Sequence, residues 1–384
     1  MKKIAFLFGV SAFALGSNVI AQEAPSGSAW SVEGAAVVDY WNNSSGGVAT
    51  GTATQANIGA QLNFDGSKAG IPLLRGTFGG FYNNGEPFSG AEVGDAQGVS
   101  NIETGAEGFY LYENWISLNW GEIVDGEGQT MVKLGLIDLN GSFDAPNVSG
   151  LFMNSSHGII PTFSQTGGNG PSIFPILGLG AIYQLRLGDA NKIRVGVFDG
   201  VPGYPNDPTN IDLSLNKADG VLLVGEWEYS AEHLRLLFGG FGYSEATAPI
   251  LAGPNRRNRG LYGQAELNPN GKYAWFLRAG TANPDVNFLE NYVGAGVVIN
   301  DAFAKTDHQI GFAVARAGLS EAGRTTIVGA KDSETNLELT YSAPLGRGLT
   351  LQSDIQHIIN VGADPSIEDA TVVGLRLKYE FGTN

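Results

Sequence analysis

The stretch Val373-Gly374-Leu375-Arg376-Leu377-Lys378-Tyr379-Glu380-Phe381 alternates apolar and polar side chains without interruption. Successive side chains of a β-strand point to opposite faces of a sheet, so this stretch predicts a strand with one apolar face and one wet face. The wet face carries full charges at Arg376, Lys378 and Glu380. Charged residues at every second position favour a strand that lines a water-filled barrel over one that packs inside a soluble sandwich.

The same alternation recurs along the whole chain, and aromatic residues concentrate near the ends of the alternating stretches, as in the girdles of membrane barrels. The sequence predicts an all-β fold, a transmembrane antiparallel β-barrel of about sixteen strands. The predicted strands are 29–41, 54–64, 74–82, 110–120, 130–138, 176–187, 191–199, 221–230, 234–243, 259–268, 273–280, 291–300, 308–318, 333–343, 348–359 and 370–381.

The gaps between these strands alternate in length, and every odd-numbered gap is longer than its neighbours. This pattern indicates long extracellular loops and short periplasmic turns, with both chain ends on the periplasmic side. An even number of strands also lets the last strand pair antiparallel with the first. The sheet then closes and has no open edge.

Composition excludes several other classes of protein. The chain has 384 residues, of which 43% are hydrophobic and 16% are charged, with no cysteine and a net charge of −16. A disordered chain would be less apolar and more charged. The lack of cysteine excludes disulfides and thiolate metal sites, and the acidic balance argues against a nucleic-acid partner. We expect no cofactor and no metal.

The first residues have the layout of a secretory signal peptide. Lys2 and Lys3 form a basic start, residues 4–15 are an apolar run, and Val19 and Ala21 are short side chains before Gln22. The apolar run is too short to cross a bilayer as a helix, which takes about 20 residues. We therefore predict a signal peptide over 1–21 and a single barrel domain over 22–384.

The third long gap, residues 139–175, is the longest and is less charged than the other long loops. A barrel of sixteen strands leaves an aqueous channel unless something folds inward. We expect this third extracellular loop to fold into the lumen and to constrict it. The alternative interpretation is an ordinary exposed loop.

Several segments carry a family resemblance. They are Leu151-Phe152-Met153-Asn154-Ser155-Ser156-His157-Gly158, Val195-Gly196-Val197-Phe198-Asp199-Gly200, Lys133-Leu134-Gly135-Leu136-Ile137-Asp138 and the C-terminal 354–360 and 374–377. Their combination and order resemble the outer-membrane carbohydrate-selective porins of the OprB type. The resemblance implies a channel, not an enzyme, in the outer membrane of a Gram-negative bacterium. It also implies passive diffusion of small carbohydrates, chiefly monosaccharides such as glucose.

A neutral sugar needs hydrogen-bonding groups and aromatic faces rather than a strong field of one sign, which would select ions. The alternation places hydrogen-bonding and aromatic side chains on the lumen side of neighbouring strands. These side chains lie opposite carboxylates such as Asp144 and Glu113. A mixed-sign ring is the predicted eyelet. The predicted pore-lining residues are Glu113, Trp115, Lys133, Asp144, Asn154, His157, Arg186, Arg194 and Arg376.

Each of these residues also has a plainer interpretation. The charged ones fit generic solvated positions, Trp115 fits a packing role, and His157 fits a loop residue that offers hydrogen bonds. Two other functions compete, a general or ion-preferring porin and a barrel-embedded hydrolase that uses Ser156 and His157.

The segment Arg256-Arg257-Asn258-Arg259 is a basic cluster in a predicted outer loop. Such a cluster suits the phosphates of lipopolysaccharide or simply a solvated loop. The expected partners are therefore a small-molecule carbohydrate, outer-membrane lipid and lipopolysaccharide. The barrel is expected to be a monomer or a homotrimer.

Overall fold

The computed structural model describes residues 21–22, 27–124, 126–204 and 207–383. The predicted signal peptide lies, apart from Ala21, outside the described residues. Ala21 and Gln22 pair in parallel with Gly382 and Thr383 at the end of the chain.

In the described part of the chain, sixteen antiparallel strands form one closed sheet, which confirms the predicted fold class. The strands are β1 (Trp30–Gly47), β2 (Gly51–Asp65), β3 (Leu74–Asn83), β4 in two pieces (Gly108–Leu111 and Asn114–Val124), β5 (Glu127–Leu136), β6 (Leu179–Leu187), β7 (Asn191–Asp199), β8 (Val221–Ala231), β9 (Leu234–Thr247), β10 (Arg256–Leu267), β11 (Tyr273–Ala282), β12 (Leu289–Asn300), β13 (Gln309–Leu319), β14 (Ser333–Gly346), β15 (Leu349–Ile359) and β16 (Glu368–Thr383).

The barrel closes where the sequence predicts, between the last strand and the first. Leu375 of β16 lies opposite Tyr40 of β1, and Leu377 lies opposite Val38. All four of these side chains are exposed on the outer surface of the barrel, whereas Arg376 between them is only 8% exposed. The period of two therefore puts apolar side chains toward lipid and charged ones toward the lumen.

We call the rim that carries the chain ends the turn end and the opposite rim the loop end. In porins the short turns face the periplasm and the longer loops face outward. The predicted alternation of lengths fails at two places. Loop 48–50 is short because the β1–β2 hairpin continues as far as the pair Asn43 and Gly51. Loop 283–288 is shorter than turn 301–308, because β12 already begins at Leu289, opposite Leu319.

The few helical turns are short. Pro161–Ser164 and Glu321–Arg324 are α-helical, and Ser89–Val93 is a π-turn. Single 3₁₀ turns occur at Gly66–Ala69, Leu139–Gly141, Ser149–Leu151, Ser155–His157, Ala302–Ala304 and Val361–Ala363. None of the helices within the described ranges has the length and apolar character needed to cross a membrane.

The hydrophobic core lies inside the barrel, between the wall and two long loops. Phe143 and Phe163 of loop 137–178 are fully buried and pack with wall residues such as Phe198 and Phe241. Phe88 and Val99 of loop 84–107 are buried as well and pack near Trp41. Both loops therefore pack against the inner surface of the wall.

Candidate functional site

Loop 137–178 is attached to the barrel wall through its own backbone. Glu226 of β8 accepts the N–H of Asp144 at 2.7 Å, and Glu266 of β10 accepts the N–H groups of Asn147 and Val148, both at 2.8 Å. A hydrogen bond to a charged acceptor is about twice as strong as a neutral one. These carboxylates face inward because they occupy the lumen positions of their strands.

Glu338 of β14 continues this series farther along the loop. It accepts the N–H of Asn154 at 3.1 Å and that of Met153. Gln352 of β15 donates to the carbonyl of Leu151 at 2.8 Å. The loop is therefore fixed at intervals from Asp144 to Asn154, across β8 to β15.

Arg278 of β11 is the most buried cation of this contact, with no exposed surface. Its guanidinium lies 2.6 Å from the carboxylate of Asp144 and donates to the carbonyls of Asp144 and Gly158 at 3.1 and 3.2 Å. It also donates to the carbonyl of His157. A guanidinium has several donors in one rigid fork, so one side chain holds two segments of the loop together.

The charges of β7 to β10 pair with one another behind the loop. Arg194 lies 2.9 Å from Glu226 and 2.8 Å from Glu228. Arg235 lies 3.0 Å from Glu228 and 3.2 Å from Glu266. Each of these residues is less than a tenth exposed. Gln184 of β6 joins the group by accepting a hydrogen bond from Arg194 at 2.9 Å, and we call the wall from β6 to β10 the covered sector.

Loop 84–107 also folds inward, which the sequence analysis did not predict. Glu334 of β14 accepts the N–H of Ala96 at 2.8 Å, and Gln356 of β15 donates to the carbonyl of Val99 at 2.9 Å. Arg376 of β16 donates to the side chain of Asn101 at 2.7 Å. This second loop therefore covers the inner face of β14–β16 toward the loop end.

The acidic residues of loop 84–107 made an inward course hard to predict, because charged side chains are usually exposed to solvent. Glu103 instead accepts the N–H groups of Phe88 and Ser89, and Asp95 accepts that of Gly98. Burial raises the pKa of both carboxyls, and nearby carboxylates raise that of Asp95 further. The inward course of the loop follows from these hydrogen bonds to its own backbone, which the sequence does not reveal.

An open cavity of about 900 Å³ remains on the turn side of the two loops. Four of the nine predicted residues line it, namely Glu113, Trp115, Lys133 and Arg376. Strand residues of β1–β5 and of β11–β16 contribute to its wall, whereas β6–β10 contribute none. We call β16 together with β1–β5 the open sector.

A bulge in β4 positions Glu113 and Trp115. Glu113 has a φ of 56°, a left-handed conformation that is uncommon outside glycine and interrupts the strand. Bulges often re-aim side chains near functional sites. The carboxylate of Glu113 accepts the N–H of Asp138 at 2.8 Å and the indole N–H of Trp115. The ammonium of Lys133 lies 4.2 Å from the centre of the Trp115 ring.

Arg376 lies across the cavity and is held by two contacts. Its guanidinium donates to both carboxylate oxygens of Asp39, each at 2.7 Å, in addition to Asn101. This bidentate geometry fixes the direction of the side chain. The remaining polar groups of the cavity include Gln61, Thr77, Asn140, Gln309 and Gln352.

The other five predicted residues do not line the cavity, and the prediction needs correction there. Asp144 is fully buried against Arg278, and Arg194 is bound within the covered sector. Asn154 is buried and donates to Gln356 at 3.1 Å. Arg186 lies near the turn end and donates to backbone carbonyls of Glu122 and Glu127. The alternation of side chains correctly places Arg186 and Arg194 on the lumen face of the wall. Both guanidinium groups are nevertheless bound by neighbouring residues and do not reach the cavity.

His157 also needs correction, because it offers no hydrogen bond to the lumen. Its ring is fully buried between Phe152 and Phe276, at centroid distances of 5.0 and 5.7 Å. Among the residues that the structure describes, neither ring nitrogen has a hydrogen-bond partner, and the nearest oxygen of Glu338 is 3.9 Å away. Burial lowers the pKa of His157 to about 3, and the Arg278 guanidinium acts in the same direction. The ring is therefore neutral and serves as packing.

Sequence reasoning missed the residues that fix the loops. Arg278, Glu266 and Glu338 occupy lumen-facing positions in the alternating pattern of their strands. This alternation was the one sequence feature that could have pointed to them. Their loop partners lie about 120 to 185 residues away in the chain. In the described part of the chain, no group of three or more His, Asp or Glu side chains is arranged to hold a metal ion.

An apolar outer surface, a polar lumen and inward loops define a porin of the outer-membrane type. A family model described as carbohydrate-selective porin, OprB family, matches residues 52–261 and 254–381. The chain belongs to this family, and it is a carbohydrate-selective porin of the outer membrane of Gram-negative bacteria. Its substrates are sugars, and both family and fold are those of a channel.

Solved structures agree with this fold. The chain is similar to the high-pH structure of Pseudomonas putida OprB, with 16% identity and a TM-score of 0.79, over 92% of this chain and 94% of that chain. It is also similar to the outer membrane channel DcaP of Acinetobacter baumannii, with 9% identity and a TM-score of 0.59, over 94% and 99% of the two chains. No curated protein matches the chain.

Proposed function

We propose that this porin carries small neutral sugars, monosaccharides such as glucose, by passive diffusion down their gradient. The observation that carries the proposal is the composition of the 900 Å³ cavity. It combines an indole ring, two ammonium groups, two guanidinium groups, five carboxyl groups and several amides. Such a lining offers donors and acceptors to sugar hydroxyls without a field of one sign.

In this proposal the loop segment 139–175 is the constriction, and solute passes along the open sector. The supporting contacts are those that bind the loop to Glu226, Glu266, Arg278 and Glu338. Because β6–β10 lie behind the loop, the free cross-section is displaced toward Trp115 and Lys133. Glu113 fixes the indole from one edge, and Lys133 occupies a position over the ring from which its ammonium reaches a passing hydroxyl.

The test is liposome swelling with a series of solutes from glucose to a trisaccharide, together with bilayer recordings in the presence of glucose. The proposal expects swelling rates to fall steeply with sugar size and glucose to reduce the ion current. A barrel lacking 150–165, checked for folding by heat-modifiable gel migration, should lose the size dependence. A general porin would show ion current that glucose leaves unchanged, and this result would reject sugar selectivity.

We also propose that outer-membrane lipid and lipopolysaccharide surround the apolar wall. The wall presents large exposed apolar side chains such as Leu223, Phe238 and Leu277 at 48%, 58% and 53% exposure. Light scattering in detergent distinguishes a monomer from a homotrimer by the mass of the protein component.

A further inference from the structure

The lipid-facing wall carries a groove of about 950 Å³ near the loop end, over β7–β11. Its floor lacks side chains where two glycines pair. Gly225 lies opposite Gly240, and the same row continues through Val195 on one side and through Leu261 and Thr281 on the other. A methyl group at Gly225 would meet, apart from its two chain neighbours, no atom of the described residues within 4 Å, so the space above it is open.

Apolar side chains form the walls of the groove. Leu223, Val195 and Leu261 are 48%, 48% and 53% exposed on the outer surface. In a bilayer the hydrophobic effect does not favour filling such a groove, because the surrounding lipid tails are as apolar as its walls. Binding in the groove therefore depends on close packing. The width left by the glycines suits a hydrocarbon chain that lies along the wall.

The loop end of the groove is basic. Arg256 and Arg259 line it, and Arg259 is the Cα partner of Gly242, one pleat repeat beyond the Gly240 row. Asn283 holds this segment through two hydrogen bonds of 2.9 Å, from its backbone N–H to the carbonyl of Arg259 and from its amide to the carbonyl of Arg257. The arginines are therefore presented from a fixed backbone.

The charges of the two arginines are used differently. Arg256 lies 3.3 Å from Asp285, both groups being about half exposed. Within the described ranges Arg259 has no carboxylate partner, and it is exposed. A guanidinium recognises phosphate through paired, charge-assisted hydrogen bonds. An acidic chain with a net charge of −16 thus presents cations where its apolar groove meets the headgroup layer.

We propose that this groove is a binding site for one phosphorylated, multiply acylated lipid of the outer leaflet, of the lipid A class. One acyl chain lies over Gly225 and Gly240, and a phosphate binds Arg259 with Arg256 beside it. The proposal is independent of sugar passage, because none of these residues lines the lumen cavity. It commits to a lipid rather than a second copy of the barrel because the groove ends on cations that match a phosphate.

The test is native mass spectrometry of the purified, delipidated barrel in detergent, titrated with bis-phosphorylated hexa-acyl lipid A. We expect one bound lipid per barrel. The double variant Arg256→Ala/Arg259→Ala removes the phosphate contacts, and Gly225→Leu fills the slot without touching the charges. Each should weaken binding about tenfold, which corresponds to about 1.4 kcal/mol.

The matched controls are Lys305→Ala, an exposed cation at the turn end, and Ala295→Leu, a small lipid-facing residue of β12; both should bind as the wild type does. Lipid A without phosphates should bind as weakly as the arginine variant, and inorganic phosphate should not displace the bound lipid. Equal binding by all variants overturns the proposal. So does displacement by free phosphate, a Gly225→Leu variant that binds normally, or a second copy of the chain retained in place of lipid. Glucose permeation should be unchanged in every variant, which separates this result from the proposed function.

Discussion

The two sectors of the barrel wall use the same kinds of charged residue for different purposes. In the covered sector, Arg194 and Arg235 pair with three glutamates, and two of these, Glu226 and Glu266, accept backbone N–H groups of the long loop. In the open sector, Lys133 lies over the ring of Trp115 and lines the cavity. Charged side chains on the lumen face of this barrel therefore have two roles. Some line the cavity, and others hold the loop that narrows it.

The largest effect should come from Arg278→Ala in the support of the loop. It leaves Asp144 buried without its cation and removes a charged donor from the carbonyls of Gly158 and His157. Breaking a buried pair by removing one partner costs about 3–5 kcal/mol. We expect higher single-channel conductance and loss of discrimination between glucose and a trisaccharide. Arg278→Lys, which keeps the charge but not the fork, should fall between the variant and the wild type; unchanged conductance in Arg278→Ala would contradict the assigned support.

A smaller effect should follow Trp115→Ala in the open sector. An aromatic contact of this kind contributes about 0.5–1.5 kcal/mol beyond buried area, so the concentration of glucose that half-blocks the ion current should rise roughly threefold to tenfold. Trp115→Phe keeps a ring but loses the hydrogen bond to Glu113 and should retain most of the block. If Trp115→Ala is blocked as strongly as the wild type, the ring is only packing.

Lys133→Gln should change ion preference more than sugar passage. Lys133 places a cation near the ring of Trp115, and its loss leaves Glu113 and Asp138 less balanced in the same cavity. The reversal potential in a salt gradient should shift toward cation preference, while half-blocking by glucose changes about twofold or less. A shift toward anions would show that Lys133 does not face the passage.

The smallest effect belongs to Lys378→Ala. Lys378 lies 3.1 Å from Glu380 but is partly exposed, and exposed ion pairs contribute about 0–1 kcal/mol. The midpoint of urea unfolding should match that of the wild type within error. A clear loss of stability would mean that the open sector, like the covered one, depends on its ion pairs.

The wall was predictable and the loop contacts were not, for physical reasons. The period of two is a local property, so the strands from Trp30 to Thr383 and the lumen side of Glu113, Lys133 and Arg376 follow from neighbouring residues. Arg194 pairs with glutamates of the next strand, and the ring of His157 packs against Phe276, which is more than a hundred residues away in the chain. Such contacts depend on the tertiary fold and not on neighbouring residues. Loop 84–107 shows the same limit, because its acidic side chains bind its own backbone N–H groups.

We expect solute to pass along the open sector while the covered sector stays closed. The chain has no native cysteine, so single cysteines report cleanly on access. Gln61→Cys on β2 lines the cavity, and Gln264→Cys on β10 occupies a buried lumen position of the covered sector. With a small cationic thiol reagent, we expect conductance to fall for Gln61→Cys and to stay constant for Gln264→Cys. Equal modification and equal loss of conductance at both positions would contradict it.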